Sequence, residues 1–104
     1  MTINAFKMKL KPGALAEYKK RHDEIWPELA KAHSDAGISD YSIFYDEETL
    51  TLFAFQKLSD KNTACKMKNL AIVQKWWDYN ADLMETHSDN MPVFTPLCEV
   101  FHMD

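Results

Sequence analysis

A histidine placed one helical turn beyond a tyrosine is the sharpest chemical signal in this chain. His22 follows Tyr18 on a stripe that also holds Leu15, Ile25, Trp26, Leu29 and Ala32, at spacings of three and four. An imidazole has an unperturbed pKa of about 6.5, so it can donate or accept a proton near neutrality. Beside a phenol and an indole, in a partly desolvated cleft, it can orient a hydroxylated ligand and move a proton on it. The same spacing also describes a hydrogen-bonded histidine at an interface with no chemical task, and spacing does not choose between the two.

The pair Trp76-Trp77 is the second signal. Neighbouring helical residues point about 100° apart, so one indole can pack inward while the other borders a cavity. Indole faces suit the C–H-rich faces of sugars, and the indole N–H can donate to a hydroxyl. Simple aromatic packing at a core or a dimer interface accounts for the pair equally well. Tyr41 and Tyr45 share a strand face; a phenol directed into a cavity is a good partner for sugar hydroxyls, and one directed outward is ordinary strand filling. His33, His87 and His102 show no spacing to Cys or carboxylate that suggests a metal site, so no metal is expected. Glu99 shares a face with Leu97 and Phe101 and either reaches an open edge or serves a site. Only two glycines are present, which leaves no Gly-rich phosphate loop and no usual nucleotide-cofactor chemistry.

These side chains need elements to hold them. Residues 3–10 alternate as a strand, with Phe6, Met8 and Leu10 opposite Lys7 and Lys9, and Lys11-Pro12-Gly13 breaks it. A helix is predicted from about Ala14 to Ser34, with a kink or local break near Asp23–Trp26 where Pro27 removes an amide hydrogen, and an end at Gly37. Ile38–Tyr45 and Thr49–Leu58 read as an antiparallel hairpin around Asp46-Glu47-Glu48. A short helical region begins at Ser59-Asp60, and a firmer helix runs from Ile72 to about Glu85. Thr86–Pro96 reads as a loop, and Leu97–Met103 as a last strand. Strand, helix, hairpin, helix, strand is the order of a ferredoxin-like α+β domain: an antiparallel sheet with helices on one face. The third strand is apolar on both sides, Leu52 and Ala54 against Phe53 and Phe55, so the uncovered sheet face calls for a ligand, a partner chain or both.

The 104 residues suit one compact domain, 1–104. With 46% apolar residues, including three Trp, six Phe and four Tyr, disorder is excluded. The net charge of -4 and the lack of any basic run beyond Lys19-Lys20-Arg21 leave nucleic-acid binding without support. Two cysteines suggest free thiols rather than a disulfide scaffold. No apolar run is long enough for a membrane span or a signal core, and a cytoplasmic protein is expected.

The motif Tyr18-x-x-Arg21-His22-x-x-Ile25-Trp26-Pro27-Glu28 resembles the L-rhamnose mutarotase family. Gly37-Ile38-x-Asp40-Tyr41-Ser42-Ile43, the Trp76-Trp77 pair and the ending Glu99-Val100-Phe101-His102-Met103 extend the likeness over essentially the whole chain. The resemblance implies a homodimeric α+β barrel and an isomerase that interconverts the anomers of L-rhamnose. It makes His22 the proton donor and sets Tyr18, Tyr41, Trp76 and Trp77 around the sugar. Only C1 changes configuration in that reaction, so it implies no cofactor and no metal. Rival readings are a monooxygenase of the same architecture, a non-catalytic sugar-binding module and a purely structural dimer.

Overall fold

The computed structural model describes residues 1–104. Strand β1 (Thr2–Lys9) leads into helix α1 (Leu15–Asp23) and helix α2 (Pro27–Asp35). The hairpin β2 (Ile38–Asp46) and β3 (Thr51–Leu58) follows, then helix α3 (Ala71–Asn80) and a two-residue strand β4 (Thr95–Pro96). The sheet order is β2-β3-β1-β4 with every pair antiparallel, the ferredoxin-like order, and the helices lie on one face. No helix is long and apolar enough to cross a membrane.

Pro27 does more than kink a helix. Trp26 is extended (φ -63°, ψ 130°) and Pro27 takes the first helical position, so the long stripe becomes two helices. The residue before a proline is pushed out of the helical region, and a proline at the first position has no amide left to satisfy. Ile25, placed by periodicity on the buried stripe, lies in the break and is 38% exposed. At the far end Gly37 adopts φ +83° and donates its amide to Ser34.

The inward face of the sheet builds the core from Met8, Leu52 and Ala54, which meet Tyr18, Leu83 and Met84. A second cluster forms around Leu29, Ile38, Val73 and Trp76. Strand β2 is bulged between Ser39 and Ser42, with Asp40 at φ 45°. The extra residue shifts the phase, so Ile38 is buried before the bulge and Tyr41, Ile43 and Tyr45 turn the same way after it. Lys57 pairs with the Asp40 carboxylate at 3.0 Å across the bulge.

Two boundaries differ from the sequence-based expectation. Strand β3 starts at Thr51 rather than Thr49, because the Asp46 carboxylate accepts from the Glu48 amide and the Thr49 hydroxyl and holds them in the turn. Helix α3 ends at Asn80 rather than near Glu85, and Ala81–Leu83 continue only as a tighter 3₁₀ turn. The Asn80 side chain donates to the Trp76 carbonyl at 3.0 Å, the local bonding by which asparagine competes with helix continuation.

The largest correction concerns Leu97–Met103, which do not form the last strand. Pairing with β1 covers only Thr95 and Pro96, and a final bond runs from the Leu97 amide to the Ala5 carbonyl. Beyond it Val100, Phe101 and Met103 are 95%, 78% and 78% exposed. Alternation makes a segment able to be a strand, but a strand also needs a surface to bury one face on, and this chain offers none there.

Gly37 yields a test of the fold. A Cβ at this position would run into the Ser59 side chain and lie 3.1 Å from the Asn62 backbone, on top of the positive φ. Gly37→Ala is expected to cost about 1–3 kcal/mol, read as a lower thermal midpoint with unchanged far-UV circular dichroism.

Candidate active site

A cavity of about 1140 Å³ lies between the inward face of the sheet and the three helices. Tyr18, His22, Tyr41, Trp76 and Trp77, the five residues singled out from sequence, all line it. They arrive from three elements: α1 carries Tyr18 and His22, β2 carries Tyr41, and α3 carries the two indoles.

His22 is held firmly. Its Nδ1 lies 3.0 Å from the Tyr18 carbonyl oxygen. A carbonyl only accepts, so Nδ1 carries the hydrogen and Nε2 of the neutral ring keeps a free lone pair. The imidazole lies over the Tyr18 ring at 4.2 Å and 32°, and meets the Trp76 ring edge-on at 5.2 Å and 75°. Burial lowers its pKa from the ordinary 6.5, against smaller upward pulls from the Tyr18 carbonyl and the Asp23 carboxylate. At neutral pH the ring is therefore uncharged, with Nε2 able to accept a proton.

The phenols have the opposite character. Tyr18 is 6% exposed, and burial raises its pKa well above the ordinary tyrosine range, with a further push from the Tyr41 charge. Tyr41 is 39% exposed as a residue, but crowding around its phenol pushes the pKa up to about 12. Both keep their protons at neutral pH and stand as hydroxyl donors or acceptors. Tyr41 packs 5.7 Å from the His33 ring and 6.4 Å from Phe6.

The two tryptophans divide as adjacent helical residues must. Trp76 is the core member, edge-on to Trp26 at 5.0 Å as well as to His22. Trp77 is half-buried and reaches across to Phe94 at 6.4 Å. Outside the cavity Arg21 clamps α1 to the end of α3. Its guanidinium donates to Glu17 at 2.8 Å, to the Tyr79 carbonyl at 2.6 Å and to Asp82 at 2.9 Å, and lies 4.3 Å above the Tyr79 ring. The bond from Arg21 holds the Asp82 carboxyl below its usual range. This clamp fixes the helix of His22 against the helix of Trp76.

Some lining residues escaped the sequence reading. Asn4 donates to Gln56 at 3.0 Å on the inward face of the sheet, and Gln56 is 6% exposed. The available signal was phase: Gln56 follows Leu52 and Ala54 at a spacing of two, a polar residue in a buried register. His33, a weak candidate on spacing, also lines the cavity, with Nδ1 2.9 Å from the Leu29 carbonyl oxygen. His87, His102 and Glu99 lie outside it, and His102 instead meets Asp104 at 2.9 Å near the exposed C-terminus. No group of three His, Cys, Asp or Glu side chains converges as a metal site would.

Comparison with known proteins places this geometry in a family. Residues 4–103 match the family model described as L-rhamnose mutarotase. The chain is 59% identical over 104 residues to an L-rhamnose mutarotase of Bacteroides thetaiotaomicron, covering 100% of both chains. It is 57% identical over 104 residues to another from Phocaeicola vulgatus, again covering 100% of each. The crystal structure of an L-rhamnose mutarotase from Formosa agariphila superimposes with a TM-score of 0.94 at 53% identity, covering 100% of both chains. Matched by the family model over residues 4–103, and by these relatives in sequence and fold over its whole length, the chain belongs to the L-rhamnose mutarotase family.

Proposed function

We propose that this chain, acting as one domain over residues 1–104, interconverts the α and β anomers of L-rhamnopyranose, with His22 as the proton-transfer residue. The observation that carries the reading is the free Nε2 of a fixed, neutral imidazole in an aromatic cavity shared with Tyr18, Tyr41, Trp76 and Trp77. Family membership supplies the substrate.

The chemistry is short. Opening the pyranose breaks the C1–O5 bond, removes the proton of the anomeric hydroxyl and adds one to O5. Rotation about C1–C2 then presents the other aldehyde face, and O5 attacks C1 while the protons return. No electrons leave the sugar. The resemblance casts His22 as the donor to O5. The resting ring is neutral, however, so it takes up a proton before it gives one. In this reading His22 Nε2 accepts the anomeric proton and the imidazolium so formed protonates O5 as the C1–O5 bond breaks; on reclosure the ring takes that proton back from O5 and returns it to the aldehyde oxygen at C1. Tyr18 and Tyr41, held protonated, hydrogen-bond the sugar hydroxyls. The indoles cover its C–H faces, and the substrate's C6 methyl suits such an apolar wall.

A homodimer completes the reading. On the sheet face without helices Ile3, Phe44 and Phe55 are 50%, 63% and 39% exposed, and Phe44 meets Phe55 edge-on at 6.0 Å. Together with the exposed apolar residues after Leu97, this is more than a monomer ordinarily leaves to water. Two such sheets closing face to face form the α+β barrel. Both cysteines are free and exposed, which suits the reducing cytoplasm.

The reading is tested by anomer exchange, by pH dependence and by molecular mass. Saturation-transfer NMR on equilibrated L-rhamnose should show protein-accelerated exchange between the two C1 proton signals. His22→Asn should lower that rate about 10²–10⁴-fold with sugar binding retained, and normal exchange in the variant would remove His22 from the chemistry. The pH profile should carry the sign of the lowered pKa. Protonation blocks Nε2 only on the acid side of 6.5, so kcat/KM should be flat above that pH and fall below it. The same shift makes the unfolded chain the stronger proton binder, so His22 removes stability as pH drops below 6.5 and contributes nothing above it. Finally, sedimentation velocity should give the mass of two chains, and Phe44→Asp should shift it to one without loss of helical signal.

A further inference from the structure

One polar atom in the cavity wall has no use within the chain. Asn80 is 3% exposed, and its Oδ1 is the only buried side-chain nitrogen or oxygen lacking a hydrogen-bond partner. The orientation of the amide is settled by its neighbour. Nδ2 lies 3.0 Å from the Trp76 carbonyl, which can only accept, so nitrogen must face it and oxygen must face away. Asn80 stands one helical turn beyond Trp76, which touches the His22 ring, and it lines the same cavity as both. A buried acceptor left unmade is costly, and nearly all such groups in folded proteins find a donor.

We propose that Asn80 is a further sugar-binding residue, whose Oδ1 accepts a hydrogen bond from a hydroxyl of the bound sugar, directly or through one ordered water. The inference rests on the cavity being the sugar site. It adds a hydroxyl-reading contact on α3, on the same helix as the indoles that cover the C–H faces. The amide nitrogen fixes the direction of this acceptor, which has almost no accessible surface in the resting chain, so the hydroxyl reaches it as the surrounding side chains shift to admit the sugar. It also reads position on the ring: only a hydroxyl presented at that point of the wall satisfies it, and a sugar lacking it leaves the acceptor unmade.

Asn80→Leu separates this role from a structural one. The apolar side chain removes both the unmet acceptor and its ligand contact. KM for anomer exchange, and the dissociation constant of L-rhamnose, are expected to rise about tenfold with kcat within twofold, the pattern of lost ground-state binding. The thermal midpoint without sugar should hold or rise, because no buried acceptor is left unpaired. A lower midpoint with unchanged KM would leave Asn80 with its helix-ending bond alone and overturn the proposal. Asn80→Ala, which cannot overpack, answers the same question if the leucine variant does not fold. The 2-, 3- and 4-deoxy forms of L-rhamnose then identify the hydroxyl. For one of them the wild type and the variant should bind equally, whereas a tenfold gap maintained for all three would place no hydroxyl on Asn80. Wild-type exchange is read in the same samples, and its absence would refute the mutarotase reading itself, whereas normal exchange with an unaffected variant refutes only the role of Asn80.

Discussion

The break at Pro27 governs how the helical layer meets the sheet, and the cavity depends on it. A proline there leaves Trp26 extended and starts α2 in a new direction. The Trp26 ring is thereby turned onto α3, stacked on Tyr79 at 5.5 Å and edge-on to Trp76 at 5.0 Å. From Trp76 the contacts continue to His22 and Tyr18, and from Tyr79 to the guanidinium of Arg21. One continuous run of rings thus ties α1, α3 and the break together. An unbroken helix would carry Trp26 on the same stripe as His22 and leave α3 without this anchor.

The run of rings also sets the electrostatics. Rings and apolar side chains crowd the imidazole and hold water off it, which favours its neutral form. The hydrogen bond to the Tyr18 carbonyl then decides which nitrogen is free. Burial works in the other direction on the phenols, which stay protonated. A single physical cause, desolvation between sheet and helices, therefore yields a proton acceptor flanked by hydroxyl groups. Arg21 contributes from outside the cavity, where its charge is satisfied by Glu17 and Asp82 and does not reach in to disturb the imidazole.

The sheet gives the cavity its other wall through an irregularity. The bulge at Asp40 lets Ile38 and Tyr41 face the same way despite their odd spacing. Without the extra residue, one of them would point to the uncovered face. Asn4 and Gln56 in the inward register of the sheet, with Asn80 at the end of α3, are polar residues where the walls of the cavity depart from an apolar core. Such departures are expected where a surface is built to meet a ligand as well as to pack.

Periodicity and residue type by themselves determined the order of elements, the inward stripe of α1, the hairpin and the division of labour between Trp76 and Trp77. These depend on local geometry, the 3.6- and 2-residue repeats and the backbone limits of proline and glycine, which a sequence carries in full. The cavity-lining set of Tyr18, His22, Tyr41, Trp76 and Trp77 was legible too, by resemblance more than by spacing. What only the tertiary structure decided depends on contacts between distant segments. The protonation state of His22 follows from burial by α3, the value of Gln56 and Asn80 from the cavity they face, and the fate of residues 97–103 from whether a surface lies beneath them. Alternation in that last segment was real, but a strand is a pairing, and no local pattern can supply its partner.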